Sequence, residues 1–188
     1  RMVTIPNNFY EGQNTNKPMW NVTNPTNVPG FSASAYYFAK NLRETLKVPV
    51  GIVSCSVGGT PAEAWMSRKT LEDSPDLKRI LDAYERGYKK SFPNEEAYLK
   101  KIDEYNVAMK EWNRKRHAKE PAGPRPVEPI GPHYKNRPCG LYANMLTQTI
   151  PYTVKGVIWY QGENNAGTQS SYHYRTVFSA LIKEWRQE

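Results

Sequence analysis

The run from Val48 to Glu63 constrains the fold of this chain more than any other stretch. Val48 to Ser56 is short and continuously apolar, the mark of a strand covered on both faces. Gly58-Gly59 breaks it, and Thr60-Pro61-Ala62-Glu63 follows as a capping box with proline at the first helical position. A strand, a glycine turn and a capped helix start thus lie in direct succession. A second buried strand is predicted over Val154 to Tyr160, ending in Gln161-Gly162-Glu163. Around them the periodicity is helical. Ser32 to Leu46 puts Ala35, Phe38, Ala39, Leu42 and Leu46 on one face, with Ser32 or Ser34 as cap. Tyr172 to Arg186 puts Tyr174, Val177, Phe178, Leu181 and Trp185 on its inner side, and Gly140 to Gln148 reads as a short helix. Met2 to Ile5 is strand-like, and the Pro/Asn-rich stretch from Pro6 to Pro29 is an ordered loop. Helices alternating with buried strands predict a three-layer α/β/α domain with a largely parallel, flavodoxin-like sheet. Sites in such sheets lie beyond the carboxyl ends of the strands. Here that means the loops Ser56 to Thr60 and Gln161 to Asn165, which are expected to meet.

The pattern changes over 74–119. Leu77, Ile80, Leu81, Tyr84 and Tyr88 form one helical stripe; Tyr98, Ile102, Tyr105, Met109 and Trp112 form another. Phe92-Pro93-Asn94 separates them, so an inserted helical hairpin is expected, followed by an extended, proline-rich Pro121 to Pro138. The whole, 1–188, reads as a single domain. Its first residues lie within a strand and its last in a helix that should lead to another, so the sheet is expected to be incomplete.

Composition narrows the function. The 13 Tyr, 5 Trp and 5 Phe argue against disorder, and no apolar run reaches the roughly 18 residues of a membrane span. The net charge of +8 favours acidic partners. Its clusters, Lys89-Lys90 with Lys100-Lys101 and Arg114 to Lys119, read as solvated helix faces, so no nucleic-acid partner is expected. Two cysteines, Cys55 and Cys139, are too few for a disulfide framework or a zinc site. They could pair with each other, or Cys55 could be a small buried hydrophobe. No metal or cofactor is expected.

Several residues could carry chemistry. Gly58-Gly59 is either a tight turn that exploits glycine's conformational freedom or a source of backbone N–H groups for a developing oxyanion. Ser56 sits where a nucleophile elbow would place its serine, but Ser54 replaces the first glycine of that motif. A base would have to come from His117, His133 or His173. Gln161-Gly162-Glu163-Asn164-Asn165 is either an ordinary turn or a polar site, since an amide can donate to an oxyanion and a carboxylate can orient a histidine.

The segment from Pro151 to Ala166, with its Trp159-Tyr160-Gln161-Gly162-Glu163-Asn164-Asn165 core, resembles the sialate O-acetylesterases of the SGNH hydrolase superfamily. Phe31-Ser32-Ala33 with Tyr36-Tyr37-Phe38 does so too, as do Val48 to Ile52, Ser56 to Trp65 and Gly140 to Met145. The resemblance implies a serine esterase that removes acetyl groups from sialic acid or a related sugar, in the periplasm or after secretion. Catalytic roles would fall to Gly58, through its N–H, to Gln161, through its side chain, and to Glu163; Gly59 and Asn164 would contact substrate. The family's serine lies in a Gly-Gln-Ser-Asn block, which Gly12-Gln13-Asn14 only superficially matches, and its histidine lies in an Asp-x-x-His block that none of the three histidines matches. The chain alone is therefore expected to be inactive. Alternatives are a non-catalytic carbohydrate-binding module and an α/β-hydrolase using Ser56. Oligomeric state is left open.

Overall fold

The computed structural model describes residues 1–10, 16–150, 152–167 and 170–188; Gly12-Gln13-Asn14 and Pro151 lie outside them. Two strands pair in parallel, β1 (Met2–Thr4) with β2 (Ile52–Ser54), in the register Met2 to Ile52, Val3 to Val53 and Thr4 to Ser54. The ladder runs on at both ends, Ile52 N–H to Arg1 O at 3.0 Å and Ile5 N–H to Ser54 O at 2.8 Å. Parallel neighbours need a crossover, and helix α1 (Ala33–Leu46) supplies it and packs on β2. Ser32 caps its start, accepting from Ala35 N–H at 3.4 Å, and Lys47 ends it in the left-handed region at φ 58°. The α/β character predicted from sequence is present in this unit.

Three expectations are corrected. The Val48 to Ser56 strand shrinks to Ile52–Ser54: Pro49 has no N–H to give, and Val48 stays half exposed. The Val154 to Tyr160 segment pairs with no strand among the described residues, and Val154, Val157, Ile158 and Tyr160 are all at least half exposed. An extended run becomes a strand only where a neighbour takes its N–H and C=O groups, and here only Trp159 turns inward. Helix α1 fully buries none of its residues: on the predicted face Ala35, Ala39 and Leu42 are partly buried, while Phe38 and Leu46 stay exposed.

Elsewhere spacing and structure agree. Helices α3 (Pro75–Ser91) and α4 (Glu95–His117) flank the turn at 92–94, where Asn94 caps α4 by accepting from Ala97 N–H at 2.9 Å. Leu77 and Leu81 bury one stripe of α3 against the short α2 (Arg68–Glu72) and its surroundings. In α4 only Tyr98 is fully buried. The proline-rich strap of 121–138 ties to both helices: from α4, Trp112 Nε1 donates to Gly123 O at 3.2 Å and Glu95 Oε1 meets His133 Nε2 at 3.0 Å, and from α3 the Tyr84 hydroxyl donates to Gly131 O at 2.7 Å. The predicted helix at Gly140 to Gln148 divides into α5 (Gly140–Asn144) and a 3-10 turn, Leu146–Gln148. Helix α6 (Ser170–Trp185) buries Val177 and Leu181 as expected.

The core gathers Ile5, Ala64, Trp65, Met66, Leu71, Leu77, Leu141, Met145, Val177 and Leu181 into one cluster, with Val53, Cys55 and Val57 turned towards it. Each fully buried large aliphatic there contributes about 1.5–3 kcal/mol. Polar links lock the same layer. Both carboxylate oxygens of the buried Glu184 accept from Ser67 N–H, at 3.1 and 3.2 Å, and Trp185 Nε1 donates to Trp65 O at 3.1 Å. Cations lie mostly on exposed faces with acidic neighbours, as with Arg114 between Glu111 and Glu120, each at 2.9 Å. The solvated-face expectation for the clusters therefore fits. No helix of the described residues is long and apolar enough to cross a membrane.

Candidate functional site

The strand β2 leads into Val57 to Thr60, of which Gly58 and Gly59 reach the molecular surface, and Trp159, packed against the core, leads into Gln161 to Asn165 beside them. Trp159 stacks at a tilt on Phe178, 5.6 Å between centroids, and edge-on to Trp185 at 5.4 Å. The two loops are joined directly. Gln161 Nε2 donates to Thr60 O at 3.2 Å and to Asn165 Oδ1 at 2.6 Å, and Asn164 Nδ2 donates to Gly59 O at 2.9 Å. The expected meeting of the strand-end loops is found in these bonds.

Within the first loop Gly59 has φ +71°, a conformation L side chains rarely adopt, so glycine is required there. Its carbonyl is gripped from two sides, by Asn164 and by Asn136 Nδ2 at 3.0 Å. Gly58 is exposed with open space where a Cβ would be, and its N–H donates to no described residue. Thr60 and Glu63 do not form the predicted capping box. Residues Ala62–Trp65 make a 3-10 turn without a side-chain cap. Thr60 Oγ1 instead donates to Val57 O at 2.7 Å and accepts from Trp65 Nε1 at 3.0 Å, while Glu63 Oε2 accepts from Asn165 Nδ2 at 2.9 Å. These bonds displace the helix cap because they pair the buried Trp65 N–H and one N–H of the buried Asn165 amide.

In the second loop Gln161 is half-buried. Its Oε1 accepts from Tyr174 hydroxyl at 3.0 Å, and that hydroxyl accepts from Trp159 Nε1 at 3.3 Å. Both N–H bonds of the Gln161 amide are thus engaged, the one to Thr60 O being the longer. Glu163 is exposed in the 3-10 turn Glu163–Asn165, its carboxylate bonded to none of the described residues. The acid that enters the network is Glu63. Glu63, Tyr174 and Asn136 are contributors that sequence reading missed. Asn165 closes the polar run read as a site, and Tyr174 was visible only as an apolar helix position.

The rim therefore offers an unused backbone N–H at Gly58 and a side-chain amide that one weak bond holds back, a set suited to negative charge on oxygen. The nucleophile alternatives fare differently. Cys55 faces the core, burial pushes its thiol up to about 12, and it is protonated at neutral pH. Cys139 is likewise pushed up to about 12 by burial, and both cysteines are free thiols rather than a pair. Ser56 is exposed on the opposite side of the strand, but no histidine bonds to it: His133 meets Glu95, His173 meets Arg79, and His117 ends α4.

A family of carbohydrate esterases, sialic acid-specific acetylesterases, matches residues 107–188 and so takes in the whole Gln161 loop. The sialate O-acetylesterase of Rattus norvegicus is 32% identical over 166 residues, covering 83% of this chain and 25% of the rat protein. That of Homo sapiens is 29% identical over 156 residues, covering 83% and 21%. The crystal structure of a carbohydrate acetylesterase from Xanthomonas citri superposes with a TM-score of 0.61 at 26% identity, over 99% of this chain and 30% of that one. The chain thus spans about a quarter of the length of the curated relatives it matches. With the Gln161 segment inside the family match and the parallel strand pair and joined loops inside the structural one, the chain belongs to the sialate O-acetylesterase family of SGNH-type α/β proteins.

Proposed function

We propose that in the full-length protein this rim is the oxyanion-binding side of a carbohydrate O-acetylesterase site. A serine attacks the acetyl carbonyl, a histidine takes its proton and hands it to the leaving sugar hydroxyl, and water then releases acetate by the same route. No serine–histidine pair exists among the described residues, so both groups are expected from other parts of a protein as long as its relatives. Gly58 N–H and the Gln161 amide meet the charge that develops on the carbonyl oxygen. The amide does so by trading its 3.2 Å bond to Thr60 O for the oxyanion, keeping its 2.6 Å bond to Asn165. In this reading Glu163, exposed beside them, orients the histidine, while Gly59 and Asn164 line the acyl end of the substrate. An O-acetylated sialic acid is the substrate that suits the basic balance of the chain, and the family resemblance supports action in the periplasm or outside the cell.

The observation that carries this reading is the direct bond between the Gln161 amide and the Gly58–Thr60 loop. Its test is Gln161→Ala in the full-length protein, assayed for acetate release from O-acetylated sialic acid and from a neutral acetylated sugar. Removing one such donor lowers kcat by about 10²–10³, or about 2.7–4 kcal/mol, with the circular dichroism spectrum unchanged. Undiminished acetate release would refute the role of Gln161, and equal rates on the two sugars would refute sialic acid as the preferred substrate.

A further inference from the structure

Asn165 lies between the two loops at 4% exposure. A buried side-chain amide is retained only where its polar groups are paired, and the pairing here has a fixed polarity. The backbone N–H of Ala62 can only donate, and it meets Asn165 Oδ1 at 2.9 Å. The Glu63 carboxylate can only accept, and its Oε2 meets Asn165 Nδ2 at 2.9 Å. These two contacts leave one orientation for the Asn165 amide, with its oxygen towards Gln161. Gln161 must then present Nε2 to it, at 2.6 Å, and Oε1 to the Tyr174 hydroxyl, at 3.0 Å. The second N–H of Gln161 is thereby turned to the Gly58–Thr60 loop, where it meets Thr60 O.

We propose that Asn165 is a positioning residue: held by Ala62 N–H and Glu63, it fixes which end of the Gln161 side chain faces the site. It touches no reacting atom. Its effect passes through Gln161, and the proposal rests on the oxyanion role given to Gln161 above. Were the Asn165 oxygen absent, Gln161 could turn over and aim its own carbonyl oxygen at the developing negative charge.

A charge exchange tests this in the full-length protein. In Asn165→Asp the new carboxylate stands against the Glu63 carboxylate across the former 2.9 Å bond, and the repulsion pushes it off Ala62 N–H and out of reach of Gln161. Acetate release should fall in kcat by on the order of 10²-fold, the loss that misplacing a catalytic group by about 1 Å can bring, with KM changed less than about threefold. In Glu63→Gln with Asn165→Asp the roles are exchanged: the amide introduced at position 63 donates to the carboxylate introduced at position 165, and kcat should return to within about tenfold of wild type. A packing role alone would not produce recovery on a second substitution. A kcat for Asn165→Asp equal to wild type, or no recovery in the double variant, overturns the proposal. Crystal structures of the same variants and of Asn165→Ala provide a readout without activity. Gln161 Nε2 should leave Thr60 O in Asn165→Ala and hold it in the exchanged pair; an unmoved Gln161 in Asn165→Ala overturns the proposal. A wild-type protein that releases no acetate, combined with a Gln161 that turns in Asn165→Ala, would refute the esterase reading and leave the positioning role standing.

Discussion

Replacing Gly131 by alanine probes how the long helix α4 is attached to the body of the protein. An alanine Cβ would lie 2.3 Å from both Cδ2 and Cε2 of Tyr98 and 2.9 Å from its Cζ, where ordinary contact begins at 3.4 Å. A separation of about 1.1 Å must therefore open, the kind of overpacking that costs about 1–3 kcal/mol. Neither side yields easily. Tyr98 is 0% exposed, edge-on to Phe92 at 5.4 Å and tilted on His133 at 5.8 Å, while the Gly131 carbonyl is held by the Tyr84 hydroxyl at 2.7 Å. The upper half of the range, about 2–3 kcal/mol, is expected. Because Tyr98 is the one fully buried residue of α4, the loss should be local and should free the helix. Native-state hydrogen exchange of the α4 amides reads it as a fall in protection of about 30- to 150-fold. Combining Gly131→Ala with Tyr98→Leu removes the ring edge that clashes, so the pair should be less destabilised than the two single changes summed, by about 1 kcal/mol or more. Unchanged α4 exchange in Gly131→Ala, or strict additivity in the pair, would refute the strap as the anchor of this helix.

Two further outcomes follow from buried titratable groups. With their thiols pushed up to about 12, Cys55 and Cys139 hold about 10⁻⁴ thiolate at pH 8, so a thiol reagent should label both only after denaturation; rapid labelling of either in the folded protein would contradict their burial. The Glu128 carboxyl is raised above its ordinary 4.5 by burial, against the pull of Lys135 and Arg125. Between 4.5 and its folded value the native state holds more protons than the unfolded one, so this group makes stability fall as pH rises through that window. Glu128→Gln should flatten that fall in thermal midpoint, and an unaltered slope would show that the carboxyl is not desolvated as described.

The helices were legible in the sequence because their hydrogen bonds close within four residues and their burial follows a fixed period. Leu77 and Leu81 in α3, Tyr98 in α4 and Val177 and Leu181 in α6 are buried where the spacing puts them. The meeting of the two loops was legible for a related reason: Gly58-Gly59 and Gln161-Gly162 mark the ends of apolar runs. The bonds that join them were not. Thr60 and Glu63 read as a helix cap, yet Glu63 bonds Asn165 across 102 residues, and Gln161 reaches Thr60 across 101. The extended run of 154–160 has strand composition, but a ladder is a property of two segments, and none of the described residues pairs with it. Local periodicity thus determined which segments coil and which face they bury. Only the tertiary structure decided where the polar groups of Thr60, Glu63, Gln161 and Asn165 are satisfied, because their partners are chosen by burial together rather than by nearness in the chain.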